Sequence, residues 1–291
     1  PILRTIKEGL ATNKINKIYG ILNGTCNYIL SEMEKKNETF ANVLKKAQIL
    51  GYAEPGNPKL DLNGYDAYAK VKILSSLAFN SRITDQKSLM EGIENIELKD
   101  ISIANQLNCR IKLLGISEVI NGKIFNRVHP CLVKKDSYIG NVNGVMNVII
   151  TEGVPVGESI MQGEGAGPGP TSSALMSDLL SILRGNIKFP FGIPNVNRKN
   201  IMGYNFDNYE NSLYLRFEVK DKPGVLAQIT KKLAEKKISV ERLIQIPDIK
   251  KKTASIVIVT HRTKEISAQK SLISLSKNNN IYKKPVLIRL L

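Results

Sequence analysis

The order of apolar segments after residue 212 constrains the fold more than any other feature of the chain. A helix should follow the turn DKPGVL and end near residue 237, and a second helix should cover 264–277. Segments with strand-like apolar patterns occupy 213–219, 238–246, 253–261 and 285–291. The resulting order is β-α-β-β-α-β, which is the ferredoxin-like unit. We therefore predict a separate α+β domain over 208–291.

Residues 1–200 are predicted to form a larger α+β domain, with a mixed sheet and helices on one face. The turn Asn121-Gly122 predicts a β-hairpin with strands at 109–120 and 123–133. The other predicted elements are strands at 17–22 and 142–151 and helices at 26–36, 39–50, 65–79 and 172–183. The prolines and glycines of 52–64 predict a loop, and those of 185–212 a linker between the domains. The open face of the sheet should form a substrate cleft.

The net charge of +16 raises the question of nucleic-acid binding. Many of the lysines, such as Lys45 and Lys231, lie at helix positions that should face solvent. Aromatic residues do not alternate with the basic ones as a base-stacking surface requires. We therefore interpret the net positive charge as a general compositional bias of the protein's source and predict no nucleic-acid partner. No apolar run is long enough to span a membrane, so no membrane partner is predicted either.

The cysteine content indicates the cellular compartment and argues against a zinc site. Cys26, Cys109 and Cys131 are far apart and form neither a CxxC pair nor a cluster with histidine. A small, odd number of cysteines is typical of a reducing compartment. We therefore predict a cytoplasmic protein without a bound metal.

An acid–base pair, Asp66 and Lys70, stands at the start of the helix predicted at 65–79. At 100° per residue both lie within about 60° of Ile73 and Leu77, so the pair continues an apolar stripe. This pattern predicts a pair at the rim of a pocket, or buried and paired, rather than on the polar side of the helix. A lysine in such a position could act as a general acid or base, although structural ion pairs give the same pattern.

Two further carboxylates, Glu54 and Asp61, flank a loop that Pro55 and Pro58 stiffen. Carboxylates on a stiff loop beside a lysine could bind an ammonium or a hydroxyl group. Their spacing alone favours ordinary solvated loop residues over a binding site. The pattern of residues therefore leaves their role open.

Segments around these residues resemble the catalytic domain of homoserine dehydrogenase: GILNGTCNYIL (20–30), AQILGYAE (47–54) and DLNGYDAYAKVKIL (61–74). A fourth segment, GEGAGPGPTSSALMSDL (163–179), is similar to the late G-x-G-A-G-x-x-P-T segment of that family. DKPGVLAQIT (221–230), in its β-α-β-β-α-β setting, resembles an ACT domain, which many bacterial members carry at this end. The motifs occur in the order of the family and cover essentially the whole chain.

The resemblance implies an activity and a set of substrate residues. The family reduces L-aspartate 4-semialdehyde to L-homoserine with NADPH or NADH, on the route to threonine and methionine. By the resemblance, Lys70 passes a proton to or from the substrate oxygen, and Asp66 lies beside it and helps to bind substrate. Glu54 and Asp61 match the acidic residues around the amino acid part of the substrate. A lysine ammonium suits the negative charge that hydride addition creates on an aldehyde oxygen.

The resemblance also implies where the cofactor lies. It places Thr25 in the cleft between cofactor and substrate, and Gly165 and Gly167 in the loop that approaches the nicotinamide. Members of the family begin with a Rossmann domain whose G-x-G-x-x-G turn holds the pyrophosphate, and this motif is not found in residues 1–291. We therefore expect the 291-residue polypeptide by itself to bind NADP or NAD poorly and to have little dehydrogenase activity. The residue that selects between the two cofactors belongs to that domain.

The ACT-like segment implies regulation by an amino acid. In ACT domains the turn after the first strand, here Asp221, Pro223 and Gly224, lies where small amino acids bind between paired domains. Gly224 allows close approach of a ligand to the backbone, and the following helix N-terminus can face a carboxylate. The resemblance implies an L-threonine effector and a homodimer. The alternative for this domain is a packing or dimerisation unit, and for the whole chain a non-catalytic amino-acid-binding or assembly module.

Overall fold

In the computed structural model, which describes residues 1–83, 88–186 and 189–291, the chain divides into two units at residue 204. The helices of the first unit are α1 (Ile2–Arg4), α2 (Gly24–Lys36), α3 (Phe40–Ile49), α4 (Lys59–Leu62), α5 (Tyr65–Ala78), α6 (Leu98–Gln106) and α7 (Pro168–Leu183), with a π-helix at Thr5–Gly9. Its strands are β1 (Lys14–Ile21), β2 (Leu89–Met90), β3 (Cys109–Ile120), β4 (Lys123–Lys134), β5 (Met146–Val154) and β6 (Gly157–Glu164).

The strands of the first unit form a mixed sheet in the order β6-β5-β1-β3-β4. Neighbours along this path are antiparallel, whereas β2 pairs with β4 in the parallel direction. Helices α2, α5 and α6 pack against the strands. The predicted α+β domain with a mixed sheet is confirmed.

The hairpin of β3 and β4 sets the register of the sheet. The two strands pair continuously from Cys109 opposite Lys134 to Ile120 opposite Lys123. Asn121 and Gly122 between them have φ angles of +50° and +73°, and a two-residue turn of type I′ requires positive values at both positions. The predicted hairpin is therefore confirmed, and its register assigns alternate residues to opposite faces.

The register separates two packed faces. Gly20, Gly115 and Ile149 are neighbours on one face, where Val71 of α5 packs. Glycine is required at 115 because a Cβ atom there would lie 2.4 Å from Val71 Cγ2 and 2.6 Å from Leu22 Cδ1. The opposite face carries a buried apolar cluster of Ile21, Leu114, Ile116, Cys131, Val133, Ile139, Val142, Val148 and Ile150. The close approach at Gly115 brings α5 against the end of β1.

A buried lysine connects β3 to α2 and to the segment after β4. Lys112 is 1% exposed, and its ammonium donates to the carbonyl oxygen of Val142 at 2.6 Å. It also donates to Oδ1 of Asn27 at 3.0 Å and to Oδ1 of Asn143 at 3.1 Å. Asn27 in turn donates to the backbone carbonyls of Val142 and Met146. The ammonium therefore has an oxygen acceptor for each of its hydrogens, and all three acceptors are uncharged.

Protein stability should depend on pH through Lys112. Burial lowers the pKa of this ammonium from 10.5 to about 8; Arg110 adds to the shift and Glu34 opposes it. Between these pH values the unfolded chain binds a proton that the folded chain does not. The free energy of unfolding should therefore rise with pH in this window, by about 1.4 kcal/mol for each pH unit. Below the folded-state pKa the cost of burying the charge is fully present and constant.

Urea unfolding of the wild type and of Lys112→Met, compared from about pH 7 to about pH 10, isolates this contribution because methionine does not titrate. The wild-type value minus the variant value should be flat at first and rise above about pH 8. Lys45→Met, at an exposed position of α3, controls for the loss of one positive charge. A difference that stays flat over the whole range would contradict the prediction.

The second unit, 205–291, has the predicted β-α-β-β-α-β order. Its main elements are β8 (Leu213–Lys220), α8 (Val225–Glu235), β9 (Val240–Asp248), β10 (Thr253–Thr260), α9 (Glu265–Leu275) and β12 (Val286–Leu290), and the short strands β7 (Glu210–Asn211) and β11 (Thr263–Lys264) pair separately. The four main strands are antiparallel in the order β12-β8-β10-β9. Val225, Ile229 and Leu233, spaced four residues apart on α8, are buried with Phe217 and Ile256 of the sheet.

The structure differs from the predicted elements at several places in the first unit, and the prediction lacks helix α6 and the short strand β2. The segment 52–64 is not a continuous loop, because it contains α4. Strand β6 is absent from the prediction, because its sequence, GESIMQGE, is largely polar. It is the edge strand next to β5, where polar residues are common. Helix α7 begins at Pro168, four residues earlier than predicted, since proline is tolerated in a first helical turn.

The predicted linker 185–212 is hydrogen-bonded to other parts of the first unit between residues 198 and 204. Residues 187 and 188 of this segment lie outside the described residues. Arg82 N–H donates to the Lys199 carbonyl and Ile124 N–H to the Met202 carbonyl, both at 2.9 Å. Such hydrogen bonds join residues distant in sequence, so composition alone does not reveal them.

No helix in the described part of the chain is both long enough and apolar enough to cross a membrane.

Candidate functional site

Lys70 and Asp66 form an ion pair on the first turns of α5. Lys70 Nζ donates to Asp66 Oδ2 at 2.8 Å and to the carbonyl oxygen of Leu22, next to the end of β1, at 3.0 Å. Gly64 precedes the helix with a φ of +85°, a conformation that glycine adopts without strain. The lysine and aspartate side chains are 47% and 31% exposed, so a ligand can reach both groups.

The predicted apolar stripe on α5 is buried only in part: Leu77 is 5% exposed. Ile73 is 41% exposed, whereas Ala67, Val71 and Leu74 are buried against the sheet. The ion pair therefore lies at the edge of the buried side and is partly exposed. Helical periodicity places residues relative to one another, but only contact with the sheet decides which of two adjacent stripes is covered.

Asn23, which was not among the predicted site residues, brings the carboxylates of Asp61 and Asp66 together. It is 5% exposed and is the N-cap residue of α2, where its Oδ1 accepts from the backbone N–H of Cys26 at 2.8 Å. Its Nδ2 donates to Asp61 Oδ1 at 2.8 Å and to Asp66 Oδ2 at 2.9 Å. The signal in the sequence was the preference of asparagine for the residue before a helix.

The position of Asp61 depends on α4. The backbone carbonyl of Leu62 accepts from Ile93 N–H at 2.9 Å. Gly92 permits this approach, because a Cβ atom there would lie 1.9 Å from the same oxygen. The end of the 52–64 segment is thereby held in place, and the Asp61 carboxylate meets the Asn23 amide.

Cys26 lies beneath these carboxylates and is fully buried. Its thiol donates to the backbone carbonyl of Asp61 at 3.3 Å. Burial raises the pKa of the thiol well above its usual value, and the charges of Asp61 and Asp66 raise it further. The thiol is therefore protonated at neutral pH and does not serve as a nucleophile.

Thr25 and Glu54 lie at the side of this cluster. Thr25 Oγ1 donates to the carbonyl oxygen of Tyr52 at 2.5 Å and so joins α2 to the chain just before Glu54. The Tyr52 ring also packs on Tyr28, with ring centroids 4.9 Å apart. Glu54 is exposed, and its carboxylate has no hydrogen bond or ion pair among the described residues. The structure therefore places Glu54 on a neighbouring loop without joining it to the ion pair.

Gly165 and Gly167 lie in the loop between β6 and α7, beside Asn147. A Cβ atom on Gly165 would lie 2.0 Å from Asn147 Nδ2, and one on Gly24 would lie 3.6 Å from its Oδ1. Asn147 therefore lies between the start of α2 and the glycine loop. Its Oδ1 is buried and has no partner in the part of the chain that the structure describes. A glycine backbone without a side chain, next to an amide oxygen without a hydrogen-bond partner, can hold a cofactor.

The second unit contains a separate open cavity of about 420 Å³ at the turn between β8 and α8. Asp221, Pro223 and Gly224 line it together with Gln245 and Ile256. Gly224 is the N-cap of α8 with a φ of +84°, and a Cβ atom added to it would meet no heavy atom within 4 Å. The remaining lining residues are Val219, Lys220, Lys222, Val225 and Leu226. The cavity is large enough for a small amino acid.

Comparison with known proteins assigns both parts of the chain to families. Residues 1–180 match the family model for homoserine dehydrogenase, and residues 213–272 match that for the ACT domain. A homoserine dehydrogenase from Neisseria gonorrhoeae is 40% identical over 100% of this chain and 68% of its own length. The chain thus spans about two thirds of the length of this relative.

Solved structures give the same result. A homoserine dehydrogenase from Thiobacillus denitrificans matches 100% of this chain and 67% of its own, with a TM-score of 0.90 and 36% identity. A hyperthermophilic archaeal homoserine dehydrogenase mutant in complex with NADPH matches 67% of this chain and 54% of its own. For that structure the TM-score is 0.54 and the identity 25%.

Proposed function

The chain belongs to the homoserine dehydrogenase family of oxidoreductases, and on this basis we propose that the full-length protein reduces L-aspartate 4-semialdehyde to L-homoserine with NADPH or NADH. The observation that carries the proposal is the Lys70–Asp66 ion pair, which Asn23 joins to Asp61. The product is a precursor of threonine and methionine. The comparisons do not favour a non-catalytic binding or assembly module.

The charges of the cluster suit an amino acid substrate. Asp61 and Asp66 carry two negative charges against the one positive charge of Lys70, so the cluster attracts an ammonium group. We assign the amino acid part of the substrate to Asp61 and Asp66. Glu54 is exposed on the adjacent loop, and we assign it to the same part because its carboxylate can turn toward a ligand without breaking an existing contact.

Lys70 is the proposed proton donor. Hydride addition to the aldehyde carbon moves the carbonyl electron pair onto oxygen, and the ammonium stabilises this charge and then donates its proton to form the hydroxyl group. Asp66 and the Leu22 carbonyl accept two of the three ammonium hydrogens, which leaves one for the substrate oxygen. The lysine is about half exposed, so solvent can return the proton. In the reverse direction the neutral amine removes the proton from homoserine.

The proposed cofactor is NADP or NAD, which supplies the hydride when bound. In this chain Gly165 and Gly167 would approach its nicotinamide, and Thr25 would line the cleft between cofactor and substrate. The fit rests on Gly165, where any side chain would displace Asn147, and on the buried acceptor of that asparagine. The Asn147 oxygen offers a hydrogen-bond acceptor for an amide N–H group.

A dehydrogenase assay of the full-length protein tests the proposal. With L-homoserine and NADP or NAD, absorbance of the reduced nicotinamide should appear, and with aspartate semialdehyde and NADPH or NADH it should disappear. 4-Hydroxybutanoate, which is homoserine without its amino group, should not react, because it offers no ammonium to the carboxylates. Absence of turnover with both cofactors in both directions would overturn the proposed function.

For the ACT domain we propose that L-threonine binds in the cavity at the β8–α8 turn of a homodimer. The backbone N–H groups at the start of α8 suit the threonine carboxylate. Titration calorimetry of the full-length protein should give heat with L-threonine and none with D-threonine, and sedimentation should give the dimer mass. No heat at millimolar L-threonine would favour a purely structural domain.

We propose the cytoplasm as the compartment, because the three cysteines are free thiols.

A further inference from the structure

Every hydrogen-bonding atom of the Asn23 carboxamide is used inside the proposed active site. The oxygen accepts from a backbone N–H of α2, and the two amide hydrogens go to Asp61 on α4 and Asp66 on α5. The partners also fix the orientation of the amide. In the reverse orientation its oxygen would face two carboxylates and its NH₂ group would face the N–H of Cys26.

The contacts of Asn23 determine how Asp66 and Lys70 meet. Asp66 Oδ2 accepts from both Asn23 Nδ2 and Lys70 Nζ, at 2.9 and 2.8 Å. The carbonyl of the preceding residue, Leu22, accepts the other hydrogen bond of the lysine. One short segment, Leu22 with Asn23, therefore holds both the ammonium and its carboxylate. The segment is itself fixed at the junction of β1 and α2.

We propose that Asn23 is a positioning residue for the reaction: its amide holds the carboxylates of Asp61 and Asp66 side by side, and through Asp66 it orients the ammonium of Lys70. The inference rests on the proposed function and adds a residue to it. Two neighbouring carboxylates repel each other, and the amide hydrogens provide a neutral donor to each. Without them Asp66 would move away from Asp61, and Lys70 would lose its orientation toward the substrate oxygen.

The test is Asn23→Ser in the full-length protein. Serine is also a favourable N-cap, so the start of α2 is preserved while both amide donors are lost. The kcat should fall by about ten- to a hundredfold, because a misplaced proton donor slows the chemical step, while the KM for the cofactor stays unchanged. Asn27→Ser is the matched control. Asn27 is buried one turn further along α2 and bonds to Lys112 and Val142 rather than to the carboxylates, so its loss should lower the melting temperature but spare kcat.

Retention by Asn23→Ser of the wild-type kcat and homoserine KM would overturn the positioning role, and so would an equal loss of kcat in Asn27→Ser. A second measurement does not depend on activity. Asn23→Ser should lower the melting temperature more in the wild type than in an Asp66→Asn background, where one of the two carboxylates is already neutral. Absence of turnover in the wild type would overturn the proposed function. Equal melting shifts in the two backgrounds would overturn the role of Asn23, and this result does not depend on turnover.

Discussion

Replacing Lys70 with alanine in the full-length protein should lower kcat by about 10²- to 10⁴-fold, the usual contribution of a general acid or base. The substitution removes the group that we propose to protonate the substrate oxygen, and Asp66 cannot supply the proton because its carboxylate is an acceptor. The fold should be unaffected, since an ion pair of half-exposed side chains contributes little to stability. Steady-state rates with L-homoserine, together with a thermal melt of the same sample, measure both effects.

Lys72→Ala is the control for this substitution. Lys72 is also on α5 but two residues further on, so it projects from a different side of the helix and lies over the ring of Tyr68. Its loss should leave kcat close to the wild-type value. A Lys70→Ala protein with near-normal kcat would exclude Lys70 as the proton donor, and comparable losses in both variants would indicate a general effect on α5.

Replacing Arg289 with methionine should lower the free energy of unfolding by about 3–5 kcal/mol. Arg289 on β12 and Glu265 at the start of α9 are 0% and 1% exposed, and two hydrogen bonds of 2.6 and 3.1 Å join the guanidinium to the carboxylate. Gln269 donates to the same carboxylate at 3.0 Å. Without the arginine, a carboxylate remains buried in the second unit with no cation beside it, which is the costly result. Scanning calorimetry of the full-length protein measures the loss.

Two comparisons show whether the loss arises from the buried charge. The double variant Arg289→Met with Glu265→Leu removes both charges and should recover most of the stability of the wild type. Lys232→Met breaks an exposed pair with Glu235 in the same unit, where both side chains are more than two-fifths exposed, and should have almost no effect. An Arg289→Met protein as stable as the wild type would contradict the prediction.

Local signals predicted much of the secondary structure. The Asn121-Gly122 turn predicted the hairpin because few residues accept positive φ at both positions of a two-residue turn. The turn DKPGVL predicted the helix that follows it, and the structure has α8 there with Val225, Ile229 and Leu233 on its buried side. The strand β6 escaped prediction because an edge strand needs no strong apolar pattern. The roles of Lys70 and of the residues around it stay predictions. The structure gives the distances and hydrogen bonds between these groups.

The amino-acid sequence specifies the elements whose cause is local: the β-α-β-β-α-β order of the second unit, the hairpin of the first, and the i,i+4 spacing of Asp66 and Lys70. Packing in three dimensions brings residues that are distant in the chain into contact. Asp61 lies on α4, Asp66 lies on α5 and Asn23 caps α2. They converge because Gly115 lets α5 approach the sheet and Gly92 lets α4 approach its neighbouring segment. Such contacts join residues far apart in the chain, so neither periodicity nor turn chemistry encodes them, and they arise only when the helices pack on the sheet.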